Sequence, residues 1–245
     1  MKNKRLIISS IVLAVIVGGI IGIKMVFFND WDTYEVLDNA TKNFKQNESY
    51  TYKKTVQQQV KTDSEVLKGA VIEEYNVQVA KDQKQQIQYI DAQETEGKVK
   101  EIDKATFYLT SKEAYVDNLS YFWKASTLRE NTNEIPSLLI EVSKELAGYK
   151  NGTNKEAVLM EKRKKGQYII LLTNTHKMDT SSGNTASSDE TIEYKMYIDQ
   201  FSENLEKIVK VKSGNGFKLT TTFIINEQEK IETITIPKNA ELIKE

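Results

Sequence analysis

The chain has 245 residues, 34 basic against 35 acidic, and a formal net charge of −1. That balance leaves no excess of positive charge for nucleic acid, whose backbone needs a basic face. It has no cysteine, which removes disulfides, thiolate metal sites and a lipid-acceptor thiol together.

The chain begins Met1-Lys2-Asn3-Lys4-Arg5 and then runs uncharged for the 18 residues 6–23. As a helix that run spans about 27 Å, and its continuation past Lys24 to Phe28 brings it to about 34 Å. A hydrocarbon core of roughly 30 Å is thereby crossed once, with Lys24 placed to snorkel. Three positive charges precede the run, so the positive-inside rule keeps the N-terminus cytoplasmic. No small-residue cleavage site follows in Lys24-Met25-Val26-Phe27-Phe28, which separates a signal-anchor from a cleaved signal peptide. The expected organisation is a cytoplasmic N-terminus at 1–5, a transmembrane anchor at 6–28 and an extracytoplasmic β-rich domain at 29–245 of a single-pass cell-membrane protein. With Lys2, Lys4, Arg5 and Lys24 in the anchor, the exterior part keeps 30 basic residues against 35 acidic, a net −5. It therefore has no general attraction to anionic headgroups. Abundant Lys, Asn, Ile and Glu without Cys resembles, by association of composition alone, a chain from a low-GC Gram-positive bacterium.

After the anchor, Asp30 or Asp32 can cap a helix whose stripe is Trp31, Tyr34, Leu37, Thr41 and Phe44, ending at Asn47-Glu48-Ser49. From Tyr50 the period changes to 2. Tyr50, Tyr52, Val56 and Val60 alternate with polar residues, then Gly69, Val71, Tyr75, Val77 and Val79 do the same. Shorter strands are expected at 87–90, 105–110 and 114–117. Alternation of this kind marks antiparallel strands with one buried face. Ile135, Leu138, Leu139, Val142 and Leu146 form one apolar stripe of an inserted helix, with Pro136 in its first turn and Gly148 as its stop signal. Tyr121-Phe122-Trp123, just before it, suits either a ligand-contacting lip or a core plug.

Strands resume at 157–162 and 167–173, and residues 174–190, polar and rich in Ser, Thr and Asn, are expected to form a mobile loop. Four strands follow: Ile192, Tyr194, Met196 and Ile198; Leu205, Val209 and Val211; Phe217, Leu219, Phe223 and Ile225; and finally 231–236, stopped by Pro237. Ser213-Gly214-Asn215-Gly216 is a hairpin signal, because Gly and Asn accept positive φ. The fold class is therefore α+β, β-rich. A large curved antiparallel sheet of about ten or eleven strands carries an N-terminal helix and one inserted helix.

Catalytic patterns are missing. His176 is the sole histidine and sits in the polar stretch, so no His/Cys metal site and no well-supported triad can be drawn. Glu73-Glu74 falls within a strand, so the two carboxylates point to opposite faces. No catalytic residue, metal or cofactor is assigned. Twelve tyrosines, eight phenylalanines and two tryptophans can line a greasy concavity or fill a plain core, and the sequence leaves both open.

The order of elements over residues 31–236 resembles the LolA/LppX-like group of bacterial envelope proteins. The resemblance lies in the helix ending near Ser49-Tyr50-Thr51-Tyr52, the strand pair through Tyr75, and Met196-Tyr197-Ile198-Asp199 leading into Leu205-Glu206-Lys207-Ile208. Ile234-Thr235-Ile236-Pro237 at the end fits as well. It implies a half-open sheet lined by apolar residues, partly closed by helices, that binds acyl chains or lipoproteins, and in some members an envelope-sensing role. This chain departs from the lipid-anchored members in lacking their Cys. On that reading the protein is a membrane-anchored, non-enzymatic module for a lipid, acyl chain or lipopeptide, lined by Tyr75, Val77, Phe107, Trp123, Met196 and Phe223. Its expected partners are the plasma membrane, a hydrophobic ligand and an envelope protein, with no nucleic acid. The alternative is an accessory subunit of a conjugation, secretion or other envelope machine that docks onto protein partners, for which a small four-stranded exterior sheet is expected.

Overall fold

The computed structural model describes residues 32–60, 69–95, 98–117, 125–132, 134–152, 158–164, 166–177, 189–214, 216–226 and 230–243. Residues 1–31, with the expected anchor, lie outside this set. Among the described residues no helix is long and apolar enough to cross a membrane. Two compact units are distinguished, Met1–Glu35 and Val36–Glu245, and the second holds every strand.

Helix α1 (Thr33–Gln46) starts where Asp32 Oδ1 accepts the Tyr34 amide at 2.8 Å, satisfying one of the orphan donors of the first turn. Its buried stripe is Val36, Leu37, Ala40 and Phe44, which keeps Leu37 and Phe44 of the expected set and leaves Tyr34 and Thr41 at its margin. Five strands follow as a meander: β1 (Tyr50–Val60), β2 (Gly69–Val79), β3 (Gln85–Thr95), β4 (Lys98–Leu109) and β5 (Ala114–Val116). A second meander comprises β6 (Val158–Lys164), β7 (Gln167–Lys177), β8 (Asp189–Asp199), β9 (Leu205–Gly214) and β10 (Phe217–Asn226). The sheet order is β11-β5-β4-β3-β2-β1-β10-β9-β8-β7-β6, every described pair antiparallel, with the short β11 (Glu241–Leu242) at one edge. The two meanders meet only through β1 and β10, paired from Thr51↔Asn226 to Val60↔Phe217.

This order explains the helices. The chain must travel from β5 near one edge to β6 at the other, nine strand spacings or about 43 Å away. A connection of that reach has to cross a face of the sheet. It does so with two helices, α2 (Ala125–Thr132) and α3 (Glu134–Lys150), where one was expected. All five residues of the expected apolar stripe on α3 are buried. Its stop signal is Gly152 (φ 67°) rather than Gly148, which lies within the helix. A residue just past the last turn must adopt left-handed backbone, and glycine does so without steric cost.

Three further expectations are corrected. Residues 231–236 form no strand. Their alternation arises because Ile231, Ile234 and Ile236 pack over Ala80, Tyr108 and Tyr115 on the outer face of the sheet, while the Ile231 carbonyl accepts from the Lys81 amide and the Ile231 amide donates to the Ser49 hydroxyl. Residues 174–177 and 189–190, expected within a mobile loop, are strand, since β7 continues to Lys177 and β8 begins at Asp189, so that His176 pairs with Glu190 in the ladder; residues 178–188 lie outside the described residues. The ladder supplies the hydrogen bonds that the polar side chains gave no hint of. Val209 and Val211 do not share the face of Leu205. The β8–β9 register shifts between Tyr197 and Ile198, and the extra residue turns Ile208 to the buried side instead. The β9–β10 hairpin closes as expected, with Gly214 opposite Phe217 and Gly216 at φ 80°.

Candidate ligand-binding face

Directly opposed residues of an antiparallel ladder share a face, so the pairings can be read straight across the sheet. One row runs Ala105, Tyr89, Tyr75, Lys54, Phe223, Ile208, Met196, Ile170, through β4, β3, β2, β1, β10, β9, β8 and β7 in turn. Every member is buried. Seven strand spacings make the row about 34 Å wide. The neighbouring row, Val116, Phe107, Ile87, Val77, Tyr52 and Ile225, is buried as well. Of the six candidate lining residues, Tyr75, Met196 and Phe223 lie on the first row and Val77 and Phe107 on the second. All five are covered, from 0% exposed at Phe107 and Met196 to 4% at Tyr75. Trp123 lies outside the described residues.

Lys54 is the one charged residue of the first row, with its side chain 6% exposed. A buried ammonium is costly unless it is paired. Its Nζ lies 2.5 Å from Glu134 Oε2 at the start of α3 and 4.6 Å from the Tyr75 ring centroid. The Tyr75 hydroxyl donates to Glu73 at 2.8 Å, on this same face, while Glu74 turns to the other face and meets Lys53 at 2.6 Å. The two carboxylates are thus on opposite faces, as strand geometry requires. Burial first, then the Glu73 carboxylate, raises the Tyr75 phenol well above its ordinary value.

The helix is tied down at two further points. Glu141 accepts from the Tyr194 hydroxyl at 2.6 Å and from Lys210 Nζ at 2.9 and 3.0 Å, and Glu145 accepts from Asn174 Nδ2 at 2.7 Å. Burial, then the hydrogen bond to Glu141, raises the Tyr194 phenol. Glu134, Glu141 and Glu145 recur at seven and four residues, one stripe of a helix. Their partners lie on β1, on β8 and β9, and on β7, about 19 Å from first to last across the sheet. Eleven helical residues cover about 16 Å, so α3 lies across the strands and pins itself to the face at three places. Helix α1 covers the end of the same face, through Phe44 on Tyr50 (centroids 4.8 Å apart) and the run Tyr50, Tyr52, Phe223.

The sequence reading missed this polar stripe. Lys54 occupies the gap in the alternation Tyr52, Lys54, Val56, and the three glutamates sit beside the apolar stripe of α3. Both signals were present, but charged residues on an inward parity only make sense once their partners are known. The outer face is different in kind. A shallow groove of about 320 Å³ there has a mixed lining, with Thr51, Lys53, Asn76, Gln78, Gln86 and Gln88 beside the exposed Ile224.

No protein-family model matches the chain, and no curated protein matches it. Among solved structures, the crystal structure of a LolA superfamily protein from Nitrosomonas europaea matches 80% of this chain and 93% of its own, at 7% identity and a TM-score of 0.28. The likeness is distant.

Proposed function

We propose that this protein is a membrane-tethered, non-enzymatic binding module that receives a hydrophobic ligand, a lipid, acyl chain or lipopeptide, between α3 and the covered face of the sheet. The observation that carries this reading is the pair of buried rows, continuous across six to eight strands, roofed by a crossover helix rather than by a second sheet. The roof is held along one side by charged and hydrogen-bonded contacts, which water can replace when the helix lifts. An acyl chain laid on that face gains about 0.8 kcal/mol per buried CH₂, which works against the loss of the α3 packing. Ligand entry on this reading requires α3 to move, because the five described candidates are already covered. Eleven strands weigh against the envelope-machine subunit, the reading that a small four-stranded sheet would have favoured.

The absence of native cysteine makes the test clean. Glu141→Cys and Lys210→Cys, joined by a short bis-maleimide, staple α3 to the sheet. Before stapling, a fluorescent fatty acid should bind the protein saturably; afterwards the response should vanish while the circular dichroism is unchanged. The absence of saturable binding in the unstapled protein would sink the proposal.

A further inference from the structure

Charge on the covered face is divided between its two layers. The α3 roof contributes the carboxylates of Glu134, Glu141 and Glu145, and the sheet contributes the ammoniums of Lys54 and Lys210. The two cations differ in what they would meet without the roof. The Lys210 side chain is 29% exposed, so water can take over from Glu141. That of Lys54 is 6% exposed, and its neighbours across the row are Tyr75 and Phe223. If α3 lifts, Lys54 parts from Glu134 among apolar side chains, which is the costly way to break a buried pair. An anion arriving with the ligand would remove that cost.

Helix α3 itself shows the shape of such an occupant. Its first turn sets a carboxylate on Lys54, and the stripe Ile135, Leu138, Val142 and Leu146 continues from there towards β7. A carboxylate followed by an apolar run is the plan of a fatty acid. Beyond Lys54 the row offers Phe223, Ile208, Met196 and Ile170, four side chains over about 19 Å. The row containing Val77 and Tyr52 flanks it on one side. On the other side run Glu73, Val56, Thr221 and Lys210, half-buried and mostly polar, so the apolar tract is bounded there. Glu134 is 36% exposed, which places the exchange of one carboxylate for another where water reaches the pair. We infer that the ligand is an acyl chain with a free carboxylate, the fatty-acid class, and that Lys54 selects its head by exchanging the Glu134 carboxylate for it. The inference rests on the ligand-face reading proposed above.

The full chain, held in a non-ionic amphipol, is loaded with the neutral reporter N-phenyl-1-naphthylamine and challenged at neutral pH with decanoate, decanol or decyltrimethylammonium. Decanoate should displace the reporter at about tenfold lower concentration than decanol, with the cation weakest. Acetate, a carboxylate without a tail, should leave the reporter bound. In the paired variant Lys54→Met with Glu134→Ala, decanoate and decanol should become equal. Their ratio does not depend on how readily α3 lifts, because both need the same opening. Should circular dichroism show that variant unfolded, the isosteric pair Lys54→Gln with Glu134→Gln takes its place. A reporter that never binds saturably overturns the ligand-face reading, and this inference with it. Saturable binding with equal displacement by the three chains, or a preference for the cation, overturns selection by Lys54 and leaves the face standing. A decanoate preference that survives in the paired variant assigns the head to another cation, against Lys54. Displacement by acetate overturns the fatty-acid class in favour of a simple anion site.

Discussion

Lys54 shows how one residue can set the character of a face. Its ammonium sits midway along a row of tyrosines and aliphatic side chains, and Glu134 makes that position tolerable. Removing the carboxylate alone leaves a buried, uncompensated charge. Glu134→Ala should therefore cost about 2–3 kcal/mol, below the usual figure for a fully buried pair because Glu134 is a third exposed. Combining it with Lys54→Met should recover most of that loss, and urea denaturation of the two variants checks it. The buried tyrosines give a second expectation at this scale. Tyr52, Tyr75 and Tyr194 all have phenols raised above 10.0, each chiefly by burial. A group whose folded pKa is raised binds its proton more tightly in the folded state, so its contribution is complete below pH 10 and is lost as pH climbs beyond it. Stability should fall steeply above pH 10, with these three ionising only as the chain unfolds. Absorbance at 295 nm, followed alongside circular dichroism, would separate them from the exposed tyrosines.

At the scale of elements, what the residues do depends on what they meet. Residues 231–236 alternate as a strand does, yet they act as a strap, with Ile234 4% exposed between Ala80 and Tyr108. Its polar side chains fasten it too. The Thr233 hydroxyl donates to Asp82 at 2.6 Å and Lys81 meets Glu232 at 2.7 Å. The Lys84 ammonium, followed by Thr233, holds the Asp82 carboxyl down to about 2. Ile234→Asp should loosen the strap by about 2–4 kcal/mol, because it strands a carboxylate among apolar groups. Hydrogen exchange should then rise at Lys81, whose amide donates to the Ile231 carbonyl, before it rises in the central strands. Unchanged exchange at Lys81 would mean that the strap contributes little. Helix α3 teaches the complementary lesson: its apolar stripe was legible residue by residue, whereas its three glutamates acquire meaning only from Lys54, Lys210, Tyr194 and Asn174.

For the whole molecule, the seam between β1 and β10 is the decisive pairing. It joins residues more than 150 positions apart, and without it each meander keeps only its own hairpins. Phe223 lies on that seam, 1% exposed beside Lys54 and Tyr52, while Ile224 next to it faces outward at 51%. Phe223→Ala should cost about 3–5 kcal/mol and Ile224→Ala no more than about 0.5. Near-equal losses would show that the seam is not where the meanders are held. Most of the strands, their buried parity at most positions, the β9–β10 hairpin that pairs Gly214 with Phe217 and the apolar stripe of α3 were decided by the sequence, because each depends on neighbours within a few residues and on the fixed periods of strand and helix. Only the tertiary structure decided that β1 closes on β10, that the β5-to-β6 crossing drives two helices over one face, and that the C-terminal isoleucines form a strap. It also decided that Lys54 is paired within the row. Each of these turns on groups brought together from distant parts of the chain, and no local period records which partner such a group will find.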